Sequence, residues 1–284
     1  MQKKIEQAKL LLEALPYIKK YANQIFVIKY GGSAQINANL KDRFAQDIIL
    51  LYLVGIKPVI VHGGGNKINE VLDKMQIKSE FVDGMRVTTE QIMEVVEMVL
   101  AGNINKEITR LLNMHGAKAL GITGKDANFI TAVPKCDGKY GLVGEITNVD
   151  NIVIENLLAE KFIPVIAPIA SCDEINHPGF NVNADLAASK IAIGLNARKV
   201  IFMTDIAGVM NKDKELLSTL TRDEIANLKA DGTVHGGMIP KVDACLEAID
   251  AGVPKAHIID GRIEHSILLE VFTSDGIGTV IKKD

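Results

Sequence analysis

The sequence predicts an α/β protein: a three-layer αβα sandwich around a mainly parallel central sheet. Three observations carry that prediction. Short apolar runs of the kind buried on both faces of a sheet recur at residues 25–30, 57–62, 117–122, 162–167 and 198–204. Helical segments separate them, the alternation expected of parallel strands joined by crossovers. Residues 128–149 break the rhythm, where Gly138, Gly141 and Gly144 punctuate a stretch that reads as an antiparallel excursion.

Residues 2–15 place Ile5, Ala8, Leu11, Leu12 and Leu15 on one side of an amphipathic helix. Pro16 is expected to kink or interrupt it, with another turn over residues 17–21. A doubly wound sheet requires no helix before its first strand. This one is therefore read as packing on its own domain or, by slight preference, on another subunit. Ile25 to Tyr30 is the first strand, with Lys29 near its end and Gly31-Gly32 directly after it. A helix over residues 39–54 ends at Gly55. The second strand ends at His62 and opens through Gly63, Gly64 and Gly65 onto a helix reaching Met75. Asp83-Gly84 marks a hairpin within residues 80–87, and Arg86 follows the turn. Thr88 and Gln91 have capping-box spacing and start a long helix to Met114, broken near Gly102 and Asn103.

After the excursion, a helix at 151–160 and the strand at 162–167 close the first half. Asn181 to Asp185 leads into a helix over about residues 186–195, so Asp185 lies in a first turn, where the helix dipole favours a carboxylate. The strand at 198–204 exits into Asp205 to Val209. Thr221 and Glu224 form a second capping box for a helix to Lys229. The loop from Asp231 to Met238 holds Gly232, Gly236 and Gly237 and opens onto the helix that carries Lys241. A strand at 256–259, a helix at 264–272 and a strand at 278–281 complete the pattern.

Composition narrows the function. The chain has 284 residues, enough for one large or two modest domains. Its formal charge, 32 − 35 = −3, gives no general support for nucleic-acid binding. Cys136, Cys172 and Cys245 are odd in number and scattered, which points to a reducing cytoplasm without a disulfide framework or zinc site. The six histidines show no metal-ligand spacing, so no protein-held metal is expected. No apolar stretch is long enough to span a bilayer, and the N-terminus does not look like a signal peptide.

In such sheets, ligands sit beyond the carboxyl ends of the strands. Lys29 with Gly31 and Gly32, the glycines after His62, Asp205 to Gly208, and the loop ending at Lys241 all fall at that edge. Two lysines on separate elements plus glycine-lined amide clusters suit a polyanion. Asp185 is the acid placed to hold the two lysines apart. Arg86 offers a planar fork suited to a substrate carboxylate. Each feature alone has a plainer reading: Lys29 as a strand-end lysine reaching water, the three glycines as a tight turn, Asp185 as a helix cap. His235 has no assignable role and reads as an exposed loop histidine. The common nucleotide fingerprints are absent, and position 68, where a dinucleotide loop carries glycine, is Ile68.

Six motifs in order, Val27 to Ser33, Val61 to Gly65, Gly84 to Thr88, Asn181 to Asp185, Thr204 to Val209 and Gly237 to Lys241, resemble those of the amino acid kinase family over nearly the whole chain. They are most similar to those of members that phosphorylate the γ-carboxylate of N-acetyl-L-glutamate with ATP in arginine biosynthesis. The resemblance implies transition-state stabilisation by Lys29 and Lys241, organised by Asp185. It implies that Gly63, Gly64, Arg86 and Asn181 bind the acceptor. Gly31, Gly32, Asp205, Gly208, Met210, Gly237 and Met238 would hold ATP, with Mg²⁺ carried on the nucleotide phosphates. It further implies an oligomerisation helix over residues 1–21, an acceptor-binding and dimerisation lobe over 22–170, and a nucleotide-binding lobe over 171–284. Arginine-inhibited members of the family carry such a helix, interlace dimers into a hexamer, and have a C-terminal stretch like residues 257–276. A feedback site at Tyr21, His257, Glu270 and Gly276 is the corresponding expectation, with Glu270 pairing with the cationic end of arginine. The alternatives are a relative acting on another carboxylate or on carbamate, and a non-catalytic arginine or nucleotide sensor. Intact Lys29, Asp185 and Lys241 weigh against the sensor.

Overall fold

The computed structural model describes residues 2–82 and 84–283, and all of their side chains except those of residues 2–8, 10 and 11. The expected apolar face of Ile5, Ala8 and Leu11, and the Asp83 position of the hairpin, lie outside the described residues. The first elements are α1 (Gln2–Tyr21), β1 (Ile25–Tyr30), α2 (Ala38–Leu53), β2 (Lys57–His62), α3 (Gly65–Lys74), β3 (Phe81–Val82) and β4 (Met85–Arg86). Next come α4 (Glu90–Glu97), a π-helical segment over Met98–Ile104, α5 (Asn105–Met114), β5 (Ala119–Thr123), β6 (Ile130–Pro134), β7 (Gly144–Val149), α6 (Asn151–Ala159) and β8 (Ile163–Ala167). The second half holds β9 (Ile169–Ala170), β10 (Phe180–Asn181), α7 (Ala184–Gly194), β11 (Lys199–Thr204), β12 (Thr219–Leu220) and α8 (Arg222–Ala230). The chain then runs through α9 (Ile239–Asp250), β13 (Lys255–Asp260), α10 (Ser266–Phe272) and β14 (Thr279–Lys282).

Eight strands form one sheet in the order β12-β14-β13-β11-β1-β2-β8-β5. Every neighbouring pair is parallel except β13 with β14. β6 and β7 pair antiparallel outside it, as the glycine-punctuated stretch predicts. The register aligns Tyr30 with His62 and Lys29 with Phe202, so the exit loops of β1, β2 and β11 emerge side by side.

The pleat sorts β1 between two cores. Phe26, Ile28 and Tyr30 face one layer, with Phe44 and Ile48 of α2 and Met93 of α4. Val27 faces the other, with Ala188 and Ile191 of α7 and Val242 of α9. Each such buried aliphatic side chain contributes about 1.5–3 kcal/mol. Because side chains alternate along a strand, Lys29 falls on the Val27 side, toward the start of α7. That alternation is what brings a lysine of β1 to Asp185.

Three expectations are corrected. α1 runs unbroken through Pro16. The ring removes one N–H from the ladder, but the surrounding bonds persist and Ala22 N–H still reaches the Ile18 carbonyl at 2.9 Å. Its last turn packs on its own subunit, with Tyr21 buried edge-on against Phe26, whereas Leu12 is 64% exposed. The second correction moves a cap by one residue. Thr89, not Thr88, caps α4 and accepts the Ile92 N–H. Thr88 is buried, and its hydroxyl donates to the Arg86 carbonyl at 3.0 Å. The break near Gly102 is no stop: α4, the π-helical segment and α5 follow one another directly. Among the described residues, no helix is long and apolar enough to cross a membrane.

Candidate active site

At the carboxyl edge of the sheet lies a cavity of about 760 Å³, bordered by Lys29, Gly31, Gly64, Arg86, Asn181 and Asp205. Asp185 sits beside it in the first turn of α7, behind the cap made by Asn183, whose side chain accepts the Asp185 and Leu186 N–H groups. One Asp185 oxygen lies 3.0 Å from Lys29 Nζ, and the other accepts Lys241 Nζ at 2.8 Å. Burial pushes the Asp185 carboxyl up, but the two ammonium groups outweigh it and hold the pKa at about 2. The lysines retain modest exposure, 11% and 19% of their side chains, against 7% for the acid. Two cations are thereby held near one point by one acid; Lys29 lines the cavity, whereas Lys241 is not among its lining residues.

The glycine loop after β1 is tied to the exit of β11. Asp205 accepts the Ser33 N–H at 2.7 Å. Gly32 has φ +69, and a Cβ there would lie 2.6 Å from Asp205 Oδ1, so only glycine fits. Gly64 caps α3 and lies under the π-helical segment. A Cβ on Gly64 would come within 2.4 Å of Ile104 and 2.5 Å of Leu100. The loop from Asp205 to Met210 is pinned at Val209, whose N–H donates to Thr279 Oγ1 at 2.8 Å. Gly237 and Met238 lie in a short 3₁₀ turn leading into α9 and Lys241. His235 is exposed, with Nδ1 near the Gly232 and Thr233 carbonyls.

Arg86 ends β4 with a nearly buried guanidinium. It donates to Ser79 Oγ and Asn69 Oδ1, both at 2.6 Å, and stacks over Phe81 at 4.7 Å. Among the described residues its hydrogen-bond partners, Ser79, Asn69 and the Gly65 carbonyl, are neutral, and burial lowers its pKa. A buried cation without an anion is a receptor for one. Asn181 of β10 donates to Thr88 Oγ1 at 3.3 Å. Ser79, Asn69 and Gln35 are the supporting residues that sequence reasoning missed. They belong to no motif, and only the folded chain shows what they hold.

The four residues expected at a feedback site share one neighbourhood. His257 Nδ1 and Glu270 Oε1 are 2.6 Å apart, both nearly sealed from solvent. Glu270 Oε2 accepts the N–H groups of Ile277 and Gly278, and Gly276 lies against it. Glu270 is thus neither a solvated helix acid nor a vacant partner for a cation: both oxygens are engaged. Burial draws the His257 pKa down to about 4 against the opposing pull of Glu270. Tyr21 is buried close by, with Lys199 Nζ 4.9 Å from its ring.

A three-layer α/β fold with two converging lysines, a bridging acid and glycine loops beside a cleft defines a phosphotransferase-type site. Residues 24–260 match the amino acid kinase family model, and the chain belongs to that family. Within it, the chain is similar over its full length to acetylglutamate kinases. It is 65% identical over 281 residues to that of Sulfurimonas denitrificans, covering 99% of each chain. It is 63% identical to that of Nitratiruptor sp., again covering 99% of each. Among solved structures it resembles the N-acetylglutamate synthase of Neisseria gonorrhoeae complexed with coenzyme A and N-acetyl-glutamate. That match has a TM-score of 0.86 at 24% identity, spanning 98% of this chain and 63% of the synthase, and it shows the shared fold.

Proposed function

We infer that this chain is an enzyme that phosphorylates the γ-carboxylate of N-acetyl-L-glutamate with ATP, giving the acyl phosphate and ADP in arginine biosynthesis. The observation that carries this reading is the Lys29–Asp185–Lys241 bridge at the border of a cavity that Arg86, with only neutral partners, also lines. A carboxylate oxygen of the acceptor attacks the γ-phosphorus, a new P–O bond forms, and the bond to the ADP oxygen breaks. The acceptor is ionised near neutral pH, so no general base is required. Lys29 and Lys241 neutralise charge on the phosphoryl oxygens as it moves, and Asp185 keeps them in place. Arg86 and Asn181 orient the acceptor, and the Gly63-Gly64 amides meet its reacting end. Gly31, Gly32, Asp205, Gly208, Met210, Gly237 and Met238 cradle the nucleotide. Mg²⁺ would be carried on the ATP phosphates, where it would add positive charge at the transferring group. A cytoplasmic location fits an ATP-consuming biosynthetic step.

The test is ADP release measured with N-acetylglutamate, glutamate, aspartate and carbamate, with and without arginine. Turnover confined to N-acetylglutamate supports the reading. Preference for carbamate or another acid replaces it, and silence with all four leaves the sensor alternative.

We also propose arginine as feedback inhibitor at Tyr21, His257, Glu270 and Gly276, in a hexamer interlaced through α1. Residues 22–170 would form the acceptor lobe and residues 171–284 the nucleotide lobe. Supporting this are the exposed Leu12 and Leu15 on α1 and the junction of its last turn with the Glu270 neighbourhood. With both Glu270 oxygens engaged, arginine would bind by displacing one of those bonds or by using neighbouring groups.

A further inference from the structure

His62 ends β2 immediately before the glycine loop, and it is fully buried. Its Nδ1 lies 3.0 Å from the Gly63 carbonyl. A carbonyl only accepts, so Nδ1 carries the proton. Its Nε2 lies 3.2 Å from Asn105 Nδ2, an amide that donates and therefore meets a ring nitrogen without a proton. Asn105 is itself held, donating to the Val165 carbonyl at 2.8 Å, while Lys106 Nζ donates to its Oδ1 at 3.1 Å. The two contacts agree on one tautomer. Burial, with Lys106 adding to it against the Gly63 bond, draws the His62 pKa down to about 4, so the ring is uncharged near neutrality.

A second donor reaches the same carbonyl. Gln35, from the turn after Gly31-Gly32, donates through Nε2 to Gly63 O at 3.2 Å and to Tyr30 O at 3.0 Å. A trans peptide sends its N–H opposite to its C=O, so pinning the Gly63 carbonyl also fixes the direction of the Gly64 N–H. Gly64 is the N-cap residue of α3, with its carbonyl accepting the Ile68 N–H; it borders the cavity, and its own N–H has no acceptor among the described residues. Asn105 is the first residue after the π-helical segment, whose altered winding also lays Leu100 and Ile104 on Gly64. One irregular turn therefore packs the loop from above and supplies the amide that sets the histidine.

We propose that His62 is a positioning residue: with its proton held on Nδ1 by Asn105, it clamps the Gly63 carbonyl and so aims the Gly64 N–H at an oxygen of the phosphoryl group as that group passes from ADP to the acceptor. The clamp rests on the functional reading above and adds what keeps the amide pointed before substrate arrives. An amide aimed at charge that develops during transfer raises kcat, whereas one that only holds substrate lowers KM.

The experiment compares His62→Leu, His62→Gln and His62→Asn in the full-length enzyme. The Asn amide stands where Nδ1 does, and the Gln amide stands nearer Nε2. His62→Leu and His62→Gln are expected to lose at least about 100-fold in kcat with both KM values within about threefold, the signature of a contact made in the transition state. His62→Asn should recover at least about tenfold of that loss. Binding of ADP with aluminium fluoride and N-acetylglutamate should weaken in parallel, while ADP alone binds as in the parent. In the unaltered protein, ¹⁵N spectra should show His62 uncharged and protonated on Nδ1 from pH 6 to 8. Spectra showing Nε2–H overturn the clamp even if every variant fails to fold. A folded His62→Leu with parental kcat overturns it while leaving the functional reading intact. A parent protein that turns over no N-acetylglutamate overturns both.

Discussion

Asp205 accepts the Ser33 N–H at 2.7 Å, and through that bond the loop leaving β1 is fastened to the loop leaving β11. Gly32 passes between them with φ +69. A side chain at Gly32 meets both a strained backbone and the Asp205 carboxylate, a cost of about 1–3 kcal/mol for the backbone alone. Gly32→Ala is expected to lower kcat/KM for ATP by at least about tenfold while the acceptor KM changes little. Steady-state kinetics with each substrate varied in turn checks this, and an unchanged ATP dependence removes the loop from the nucleotide site.

Lys29→Ala and Lys241→Ala should each reduce kcat far more than either KM, because the proposed mechanism has each ammonium meet charge that moves during transfer. Either variant with full turnover removes that lysine from the mechanism.

Asp185→Asn tests the brace by a different readout. In the folded chain the Asp185 pKa is about 2, below the ordinary aspartate value of 3.8. A depressed carboxylate contributes stability that is present above its unfolded pKa and lost as pH falls through the folded value, here between about 4 and 2. That contribution is about 2 kcal/mol. Asp185→Asn should melt lower at pH 7 and lose less stability than the parent between pH 4 and 2. Parallel acid limbs in the two proteins would contradict the bridge.

Arg86 binds neutral partners through a planar fork, so Arg86→Lys is not a mild change. Its acceptor KM should rise at least about tenfold with the ATP KM unchanged, as read in the ADP-release assay. Equal acceptor KM values would place the substrate carboxylate elsewhere.

His257 titrates in the same sense as Asp185, in a higher pH window. Its folded pKa of about 4 lies below 6.5, so the unfolded chain takes up the proton first. Its contribution to stability is lost as pH falls from about 6.5 to 4. The melting temperature of His257→Gln should therefore depend less on pH across that window than the parent's. Removing residues 2–15, which leaves the packed Tyr17 and Tyr21 in place, should reduce the oligomer seen by sedimentation and weaken the arginine response. An unchanged oligomer with an unchanged response would reject the role given to α1.

The chain by itself determined the alternation of strands and helices, the edge at which Lys29, Gly64, Asp205 and Lys241 emerge, and the cap of α8 at Thr221. Each is written in local terms: a burial period, a glycine after a strand, a polar residue at capping distance. Thr88 shows the limit of that reading. Its spacing to Gln91 suits a cap, yet the fold commits its hydroxyl to Arg86 and gives the cap to Thr89. Pro16 shows the same limit, because one missing hydrogen bond does not outweigh a helix whose last turn is packed. Strand order, the engagement of Glu270 by His257 and the contact of Asn105 with His62 were decided only by tertiary structure. These groups are remote in sequence, and whether a buried charge or imidazole finds a partner depends on where the layers bring the chain together, which no local pattern encodes.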